Sequence, residues 1–360
     1  MSKEVQEYRV LKFGGSSLGS VDRIGGAMDL VEEEKEGREL AVVVSAMGDT
    51  TDWLLQAVEA ASSGELEVAE ECVDRIVDLG VDIAQKVVEE RDLRAEAVDE
   101  IAGRLDGLAG QLRKLLMGVS LLKEKTEQSR DLILSFGERI SATVFAGLLS
   151  AGEIEVDAVD ARGWTVTDDR FGEARVEWPQ TRRRIDELAP EWQGGVTVHT
   201  GFIGETPDGR TTTLGRNGSD YTATLLARGL GAEEVVICTD VAGVMTADPV
   251  IVADAYPVPR LSYLEALELA NYGARMFHNR TMLPLIESGI PMRIRSTMDP
   301  EEPGTRIESH ASDGGDRPTS VTSLENLALV DVRWRELSQQ ARMGRRVLKA
   351  LEQAGITVWM

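Results

Sequence analysis

The stretch that decides the fold is Thr213-Leu214-Gly215-Arg216-Asn217-Gly218-Ser219-Asp220-Tyr221, which is followed one helix length later by the apolar run Val235-Val236-Ile237-Cys238-Thr239-Asp240. Gly215 and Gly218 free the backbone from the restrictions of a Cβ atom. Ser219 or Asp220 is predicted to cap an apolar helix that begins at Tyr221. The free amides and the positive dipole end of such a helix, with Arg216 beside them, predict a loop that binds phosphate or carboxylate oxygens.

A second loop of the same kind opens the chain. Residues Tyr8 to Phe13 alternate as a short strand, and Gly14-Gly15-Ser16-Ser17 turns sharply before a helical pattern from Val21. Lys12 stands at the carboxyl end of the strand, where ligands collect in open α/β sheets. Neither loop has the spacing of a Walker P-loop or of a dinucleotide-binding fingerprint. Two predicted anion sites suggest phosphoryl transfer.

Composition excludes several classes of protein. The 360 residues are 42% hydrophobic, which predicts a globular chain of two or three domains. The formal net charge of -23 argues against nucleic acid and anionic membranes as partners. The sequence shows no apolar run of about 20 residues and begins too polar for a signal peptide, so a cytoplasmic location is expected. Cys72 and Cys238 have no metal-ligand spacing and are interpreted as packing residues.

The middle of the chain reads as repeated β-α-β steps. Val42 to Ser45 forms one strand, and residues of about 65–125 read as a continuous, structural helical insertion with apolar positions three and four residues apart. Phe136-Gly137-Glu138 lies in a further helix, where the glycine suggests close approach of a ligand. Residues of about 160–195 are less regular and are predicted to form a mobile lid.

A domain boundary is predicted near residue 318. The segment before it is rich in proline, glycine and acidic residues, as in an interdomain linker. The residues of 319–360 follow a β-α-β order that is too short to close a sheet by itself. The chain is therefore expected to end inside its second domain.

Taken together, the loops resemble the aspartate kinases of the amino acid kinase family. The resemblance covers about residues 8–310 and rests on these motifs in this order: Lys12-Phe13-Gly14-Gly15-Ser16-Ser17, Val44-Ser45-Ala46-Met47-Gly48, Phe136-Gly137-Glu138, the stretch Thr213 to Tyr221, Thr239-Asp240-Val241-Ala242-Gly243-Val244 and Ala266-Leu267-Glu268-Leu269. It implies a three-layer α/β/α amino acid kinase fold with a mainly parallel central sheet over 1–318. The tail of 319–360 resembles the start of a ferredoxin-like ACT regulatory domain.

The resemblance also implies an activity. ATP and Mg²⁺ would be used to phosphorylate the side-chain carboxylate of L-aspartate to 4-phospho-L-aspartate, the first step towards lysine, threonine and methionine. A homodimer is expected, because a partly formed sheet has an open edge. Lysine or threonine would be the feedback ligand of the regulatory domain.

Site residues are implied motif by motif. The catalytic residues would be Lys12 and Asp220. L-Aspartate would be bound by Ser45, Thr51, Glu138 and Arg216, with Arg216 on a carboxylate and Glu138 on the ammonium group. The nucleotide would be bound by Lys12, Gly14, Gly15, Ser219, Thr239, Asp240, Met245 and Arg275. No metal ligand set is expected from the protein itself.

Three positions depart from the pattern of this family. Many relatives carry Tyr at Met245, Arg at Val250 and Lys at Arg275, so weaker binding of ATP is predicted. Two alternative functions stay open at this point. The chain could be a sibling kinase that acts on glutamate or acetylglutamate, or a catalytically weakened regulatory subunit that binds amino acids.

Overall fold

A computed structural model describes residues 8–272, 278–299, 301–310, 319–323 and 340–356. The strands are β1 Tyr8–Phe13, β2 Glu39–Val44, β3 Val156–Val159, β4 Val196–Thr200, β5 Ile203–Glu205, β6 Thr211–Thr213, β7 Glu234–Thr239, β8 Arg260–Ser262, β9 Met292–Ser296 and β10 Thr305–Glu308. The helices are α1 Gly15–Leu18, α2 Val21–Glu34, α3 Thr50–Ser63, α4 Leu66–Glu90, α5 Glu96–Leu122, α6 Glu127–Ala151, α7 Trp178–Leu188, α8 Gly218–Leu230, α9 Tyr263–Asn271, α10 Asn279–Ser288 and α11 Gln340–Gln353.

The central sheet has eight strands in the order β3-β4-β2-β1-β7-β9-β10-β8. The first six run parallel, and β10 joins β9 antiparallel. Strands β5 and β6 form a separate antiparallel hairpin, and Pro207-Asp208-Gly209 between them is a sequence typical of turns. The α/β class with a mainly parallel sheet is therefore confirmed.

Hydrophobic side chains cover both faces of the sheet. Successive residues of a strand point to opposite faces, so a strand that is buried on both sides is apolar throughout. Strand β2 is such a strand: Val42 and Val44 join the core on one side, and Ala41 and Val43 join the core on the other. The first core includes residues of α2 to α6, and the second includes residues of α8 to α10. The result is three layers of secondary structure.

Strand register brings the loops of interest to one edge of the sheet. Phe13, the last residue of β1, is paired with Val44 on one side and with Cys238 on the other. Val44 is in turn paired with Thr200 of β4. The loops that follow these strands must therefore start side by side, as expected where ligands bind in α/β sheets.

The helical insertion consists of two helices and not of one continuous helix, so that part of the prediction was wrong. Helix α4 ends at Glu90, and α5 begins at Glu96. Asp92, in the turn between them, has a φ of 52°, in the left-handed region that ends a right-handed helix. Apolar residues recur at helical spacing on both sides of the turn, which hides the break in the sequence.

The segment 160–195 is largely irregular up to Glu177 and then contains helix α7, and its predicted role as a lid stays a prediction. Trp164, Val166 and Ile185 are fully buried, and Ile185 belongs to helix α7. Only the part around Gly172 borders the cavity described below. Three buried apolar side chains oppose wholesale movement of the segment, because opening it would expose them to water.

The chain divides into two compact units, Met1–Ser323 and Leu324–Met360. In the second unit the structure describes α11 and the few residues after it, up to residue 356. The predicted strands of this unit lie largely outside the described residues. The partial ACT-like domain therefore stays a prediction.

Helix α6 is the one described helix that is long and apolar enough to cross a membrane. Its most apolar window is 78% buried inside the protein. Phe136, Phe145 and Leu148 are among the residues that it adds to the first core. The central position of α6 in that core is sufficient to explain its apolar composition.

We predict that Gly137→Ala destabilises the protein by up to about 2 kcal/mol. A Cβ atom at Gly137 would lie 2.8 Å from Ala46 Cβ, so the glycine lets α6 approach the loop after β2, rather than a ligand. Overpacking costs about 1–3 kcal/mol and outweighs the gain of about 1 kcal/mol in helix propensity. Urea unfolding measures the difference.

Gly103→Ala in α5 is the matched control. This helical glycine is exposed and has no atom within 4 Å of an added Cβ, so the substitution should stabilise the protein. Equal stabilisation by both substitutions would contradict the tight contact at Gly137.

Candidate active site

A cavity of about 420 Å³ lies at the carboxyl edge of the sheet. Its walls come from the end of β1, from the loops after β2, β4 and β6, from α3 and α6, and from the start of α8. Seven of the predicted site residues line it together: Lys12, Ser45, Thr51, Glu138, Arg216, Ser219 and Asp220. Residues separated by more than 200 positions in the sequence therefore share one site.

Lys12 forms an ion pair with Asp220. Lys12 Nζ lies 2.6 Å from Asp220 Oδ1, and the two side chains are only 12% and 16% exposed. The Oδ1 atom is buried and receives no aligned hydrogen bond, so its compensation comes from the charge of the lysine. The pair joins the end of β1 to the first turn of α8 and directs one ammonium group into the cavity.

Helix α8 begins at Gly218, three residues earlier than predicted. The residue before it, Asn217, has a φ of 55° and makes no side-chain cap, so the prediction that Ser219 or Asp220 caps the helix was wrong. Asparagine is one of the few non-glycine residues that tolerate this conformation. Ser219 and Asp220 consequently lie in the first turn, where backbone amides have no partner within the helix. The positive end of the helix dipole therefore faces the cavity.

Arg216 is exposed at the mouth of the cavity. Within the described part of the chain, it has no hydrogen bond or ion-pair partner. Its neighbour Gly215 has a φ of 74°, a conformation that other residues rarely adopt. An arginine without a carboxylate partner is available to a ligand, and its planar fork suits a carboxylate or phosphate group.

Glu138 is buried, with 4% exposure, in the wall that α6 provides. Ala46 N donates to Glu138 Oε1 over 3.3 Å. Burial raises the pKa of this carboxyl to about 8, although backbone hydrogen bonds and the nearby charge of Lys12 oppose the increase. A buried carboxyl group with a raised pKa in a cleft is typical of functional sites. A ligand cation beside Glu138 would favour its charged form.

Ser45 and Thr51 belong to the wall formed by the loop after β2 and by α3. Ser45 N donates to Phe13 O over 3.1 Å, which holds the loop after β2 beside the end of β1. Thr51 is an exposed residue in the first turn of α3. Both line the cavity and can offer hydroxyl groups to a bound ligand.

The predicted nucleotide residues are more scattered. Gly15 is needed for backbone packing, because a Cβ atom there would lie 2.4 Å from Ala46 O. Gly14 precedes it at the end of β1. Thr239 ends β7, next to β1, and its hydroxyl donates to Asp240 Oδ1 over 3.2 Å. None of these four residues lines the cavity.

Met245, another of the predicted nucleotide residues, is also not among the residues that line the cavity. Met245 lies beyond β7, where it is paired with Pro257. Arg275 lies outside the described residues. The nucleotide assignments remain predictions.

Three polar residues in or next to the site were not predicted from the sequence. Arg130 lines the cavity. Asp131 is buried and bonds to Thr213, which lines the cavity, and Arg280 donates to Leu214 O, next to Thr213. Asp131 precedes Glu138 by seven residues, which is two helical turns, and this spacing is the only signal in the sequence. The contacts of Asp131 and Arg280 depend on how distant segments pack.

No described group of three or more His, Cys, Asp or Glu side chains is arranged to hold a metal ion. Asp220 is the acidic residue of the cavity that lies beside a helix N-terminus. Mg²⁺ in phosphoryl-transfer sites is often held by one or two carboxylates together with substrate phosphates. The described residues are therefore compatible with a metal ion that arrives with a nucleotide.

Residues 7–296 match the family model described as amino acid kinase family. The chain belongs to the amino acid kinase family. The match includes every strand and helix that lines the cavity, and it agrees with the mainly parallel sheet described above.

The similar proteins include aspartokinases. The chain is 34% identical to aspartokinase 1 of Arabidopsis thaliana, over 97% of its own length and 60% of that protein. It is 32% identical to the lysine-sensitive aspartokinase 3 of Escherichia coli, over 84% of its length and 64% of that protein. The chain thus spans somewhat less than two thirds of these curated relatives.

The solved structures that resemble this chain include structures of an aspartokinase. The crystal structure of E. coli aspartokinase III in complex with aspartate and ADP has a TM-score of 0.76 and 32% identity. That match covers 85% of this chain and 66% of the other. A structure of the same enzyme in complex with lysine and aspartate has an equal TM-score. The predicted amino acid kinase fold is confirmed.

We predict that Glu138 makes stability fall as pH rises. Between about pH 4.5 and about 8 the folded protein keeps a proton on Glu138 that the unfolded chain has released. Each pH unit in this window then reduces the free energy of unfolding by as much as about 1 kcal/mol through this group. The gain in stability from Glu138→Gln should therefore grow from pH 5 to pH 8 and level off above it.

Urea unfolding of the ligand-free protein at several pH values measures this difference. Glu71→Gln, at an exposed position of α4, is the control for loss of one surface carboxylate. A difference between Glu138→Gln and the unchanged protein that stays constant from pH 5 to pH 8.5 would contradict the raised pKa.

Proposed function

We propose that this chain transfers the γ-phosphoryl group of ATP to the side-chain carboxylate of L-aspartate, giving 4-phospho-L-aspartate and ADP. The observation that carries the proposal is the placement of Lys12, Glu138 and Arg216 around one cavity. Similarity to aspartokinases, one of them solved with aspartate and ADP, supports the same reaction.

The two sides of the cavity suit an amino dicarboxylic acid. Arg216 can hold the α-carboxylate as a two-donor fork, while Glu138 can pair with the α-ammonium group. Ser45 and Thr51 can add hydroxyl contacts. With both α-groups of the amino acid held, its side-chain carboxylate would extend toward Lys12.

Phosphoryl transfer requires positioned anions and neutralised charge more than covalent chemistry. Lys12 supplies a compact positive charge at the end of β1, and the first turn of α8 supplies free amides around Ser219. Asp220 holds the lysine in place. Mg²⁺, when bound with the nucleotide, supplies further neutralisation of phosphate charge.

The remaining nucleotide contacts are proposed at Gly14, Gly15, Thr239 and Asp240, whose strands end beside Lys12. Met245 and Arg275 are proposed to contact the nucleotide farther from the phosphates. Because Met245, Val250 and Arg275 depart from the pattern of the family, ATP should bind more weakly than in relatives that carry Tyr, Arg and Lys there.

We also propose a regulatory ligand, an oligomeric state and a cellular location. The segment 319–360 is proposed to be a partial ACT-like domain that binds lysine or threonine, and E. coli aspartokinase III has been solved with lysine. The protein is proposed to act as a homodimer in the cytoplasm. Nucleic acid and membranes are not proposed as partners, in view of the charge of -23.

A second function is a regulatory subunit that binds amino acids without turnover. The three departures in the nucleotide region favour it, whereas the intact set of Lys12, Asp220, Glu138 and Arg216 favours the kinase. Incubation with ATP, Mg²⁺ and L-aspartate, followed by trapping of the acyl phosphate with hydroxylamine, separates the two. L-Glutamate and N-acetylglutamate serve as alternative substrates.

We predict that Lys12→Met lowers kcat for hydroxamate formation by about 100- to 1000-fold, since one group that stabilises transferred charge is lost. Lys86→Met is the control, because Lys86 forms an ion pair with Asp82 on the surface of α4. It should leave the rate unchanged. Comparable rates for Lys12→Met and Lys86→Met would exclude the proposed role of Lys12.

A further inference from the structure

Asp131 is fully buried and accepts three hydrogen bonds. Its Oδ2 atom receives Thr213 N and Gly172 N, each over 2.8 Å, and its Oδ1 atom receives the Thr213 hydroxyl over 2.9 Å. Burial raises the pKa of this carboxyl, while these three donors oppose the increase. A buried carboxyl group is costly unless it is well bonded, so its placement needs a structural or functional reason.

Arg280 contacts the same two segments through their opposite backbone groups. Its guanidinium donates to Leu214 O over 3.0 Å and also to Ala174 O. The same guanidinium lies 4.6 Å from the centre of the Tyr221 ring in α8. Arg280 therefore donates to carbonyl groups of the two segments, whereas Asp131 accepts from their amides. We call this arrangement of Asp131 and Arg280 around residues 172–174 and 213–214 the clamp.

The clamp lies directly before Gly215 and Arg216. Ala174 N donates to Thr213 O over 2.9 Å, so the two clamped segments also bond to each other. A Cβ atom at Gly215 would lie 3.2 Å from Gly172 O, which shows how closely the segments pack at the start of the arginine loop. The hydrogen bonds of Asp131 and Arg280 thus fix the path of the backbone that leads to Arg216.

Asp131 also connects this loop with Glu138. The two acidic residues are seven positions apart in α6, and Leu134 between them lines the cavity. An undistorted helix holds such a separation at about 10 Å. Asp131 consequently links the backbone before Arg216 to the helix that carries Glu138.

We propose that Asp131 and Arg280 are positioning residues that set the placement of Arg216 relative to Glu138, and thereby the selection of an amino acid by both its carboxylate and its ammonium group. This inference rests on the proposed binding of L-aspartate in the cavity. Neither residue contacts the substrate. Both act through the segment that ends at Arg216.

The test uses a double-mutant cycle with Arg216. Asp131→Leu removes the acceptor at similar shape, and Arg280→Met removes the donor. Each should weaken the binding of L-aspartate in the presence of ADP by at least about 10-fold, the loss typical of a displaced charged hydrogen bond. In an Arg216→Met background, either change should cost less than about 2-fold, because its effect passes through Arg216.

Three controls separate positioning from general damage. The dissociation constant of ADP should stay unchanged in every variant. Asp131→Asn should restore most of the affinity for L-aspartate, since its amide oxygen can accept both backbone amides and its NH₂ group can donate to the Thr213 hydroxyl. If Asp131→Leu fails to fold, the Arg280→Met arm of the cycle tests the same clamp.

Each outcome decides one question. Absence of L-aspartate binding to the unchanged protein would reject the proposed function, and the clamp with it. Normal binding with no loss in Asp131→Leu and Arg280→Met would overturn the clamp alone. Losses that add fully to that of Arg216→Met, or that extend equally to ADP, would also overturn it, because they indicate only a structural role.

Discussion

The ion pair between Lys12 and Asp220 is the interaction on which the site depends. It joins the first strand of the chain to a helix that begins more than 200 residues later, at the edge where parallel strands end. Both side chains are mostly buried, so loss of either partner would leave the other with an uncompensated charge. The pair therefore organises the site and also keeps a cation available for an anionic ligand. A lysine held in this way need not be reoriented when phosphate charge develops.

The surrounding charges explain why an acidic protein can hold anionic substrates. The overall charge of -23 opposes anions at long range, yet salt screens exposed charges that are more than about 8–10 Å away. Within the cavity, Lys12, Arg130 and Arg216 lie together with the first turn of α8. Of the two acidic residues there, Asp220 is paired with Lys12, and burial favours the neutral form of Glu138 until a cation approaches. Local arrangement, rather than net charge, thus determines what the site can bind.

Much of the fold could be predicted from the sequence because its signals are local. Apolar runs such as Val42 to Ser45 indicate buried strands, and Pro207-Asp208-Gly209 indicates a hairpin turn. The same local signals failed where a continuing pattern hid a break, as between α4 and α5. They also failed at Asn217, where the start of α8 depends on one residue in a left-handed conformation. The buried anchors of the segment 160–195, Trp164, Val166 and Ile185, were not predicted, because polar residues surround them in the sequence.

The structure brings together several predicted site residues that stand in motifs. Lys12, Glu138 and Arg216 each stand in a recognisable motif, and the fold brings them to one cavity. Asp131 and Arg280 could not be found in this way, because their partners are backbone groups of distant segments. Hydrogen bonds to backbone leave no pattern of residue types in the sequence. Positioning residues are therefore harder to predict than residues that contact a ligand.

A crystal structure of the protein with ADP and L-aspartate would test the central claim most directly. The account predicts the α-carboxylate on Arg216, the ammonium group beside Glu138, and the side-chain carboxylate pointing to Lys12 at the end of β1. The ADP phosphates should lie on the side of Lys12 where β7 ends. L-Aspartate bound away from Lys12, or with its side-chain carboxylate on Arg216 and its ammonium group in solvent, would contradict the account.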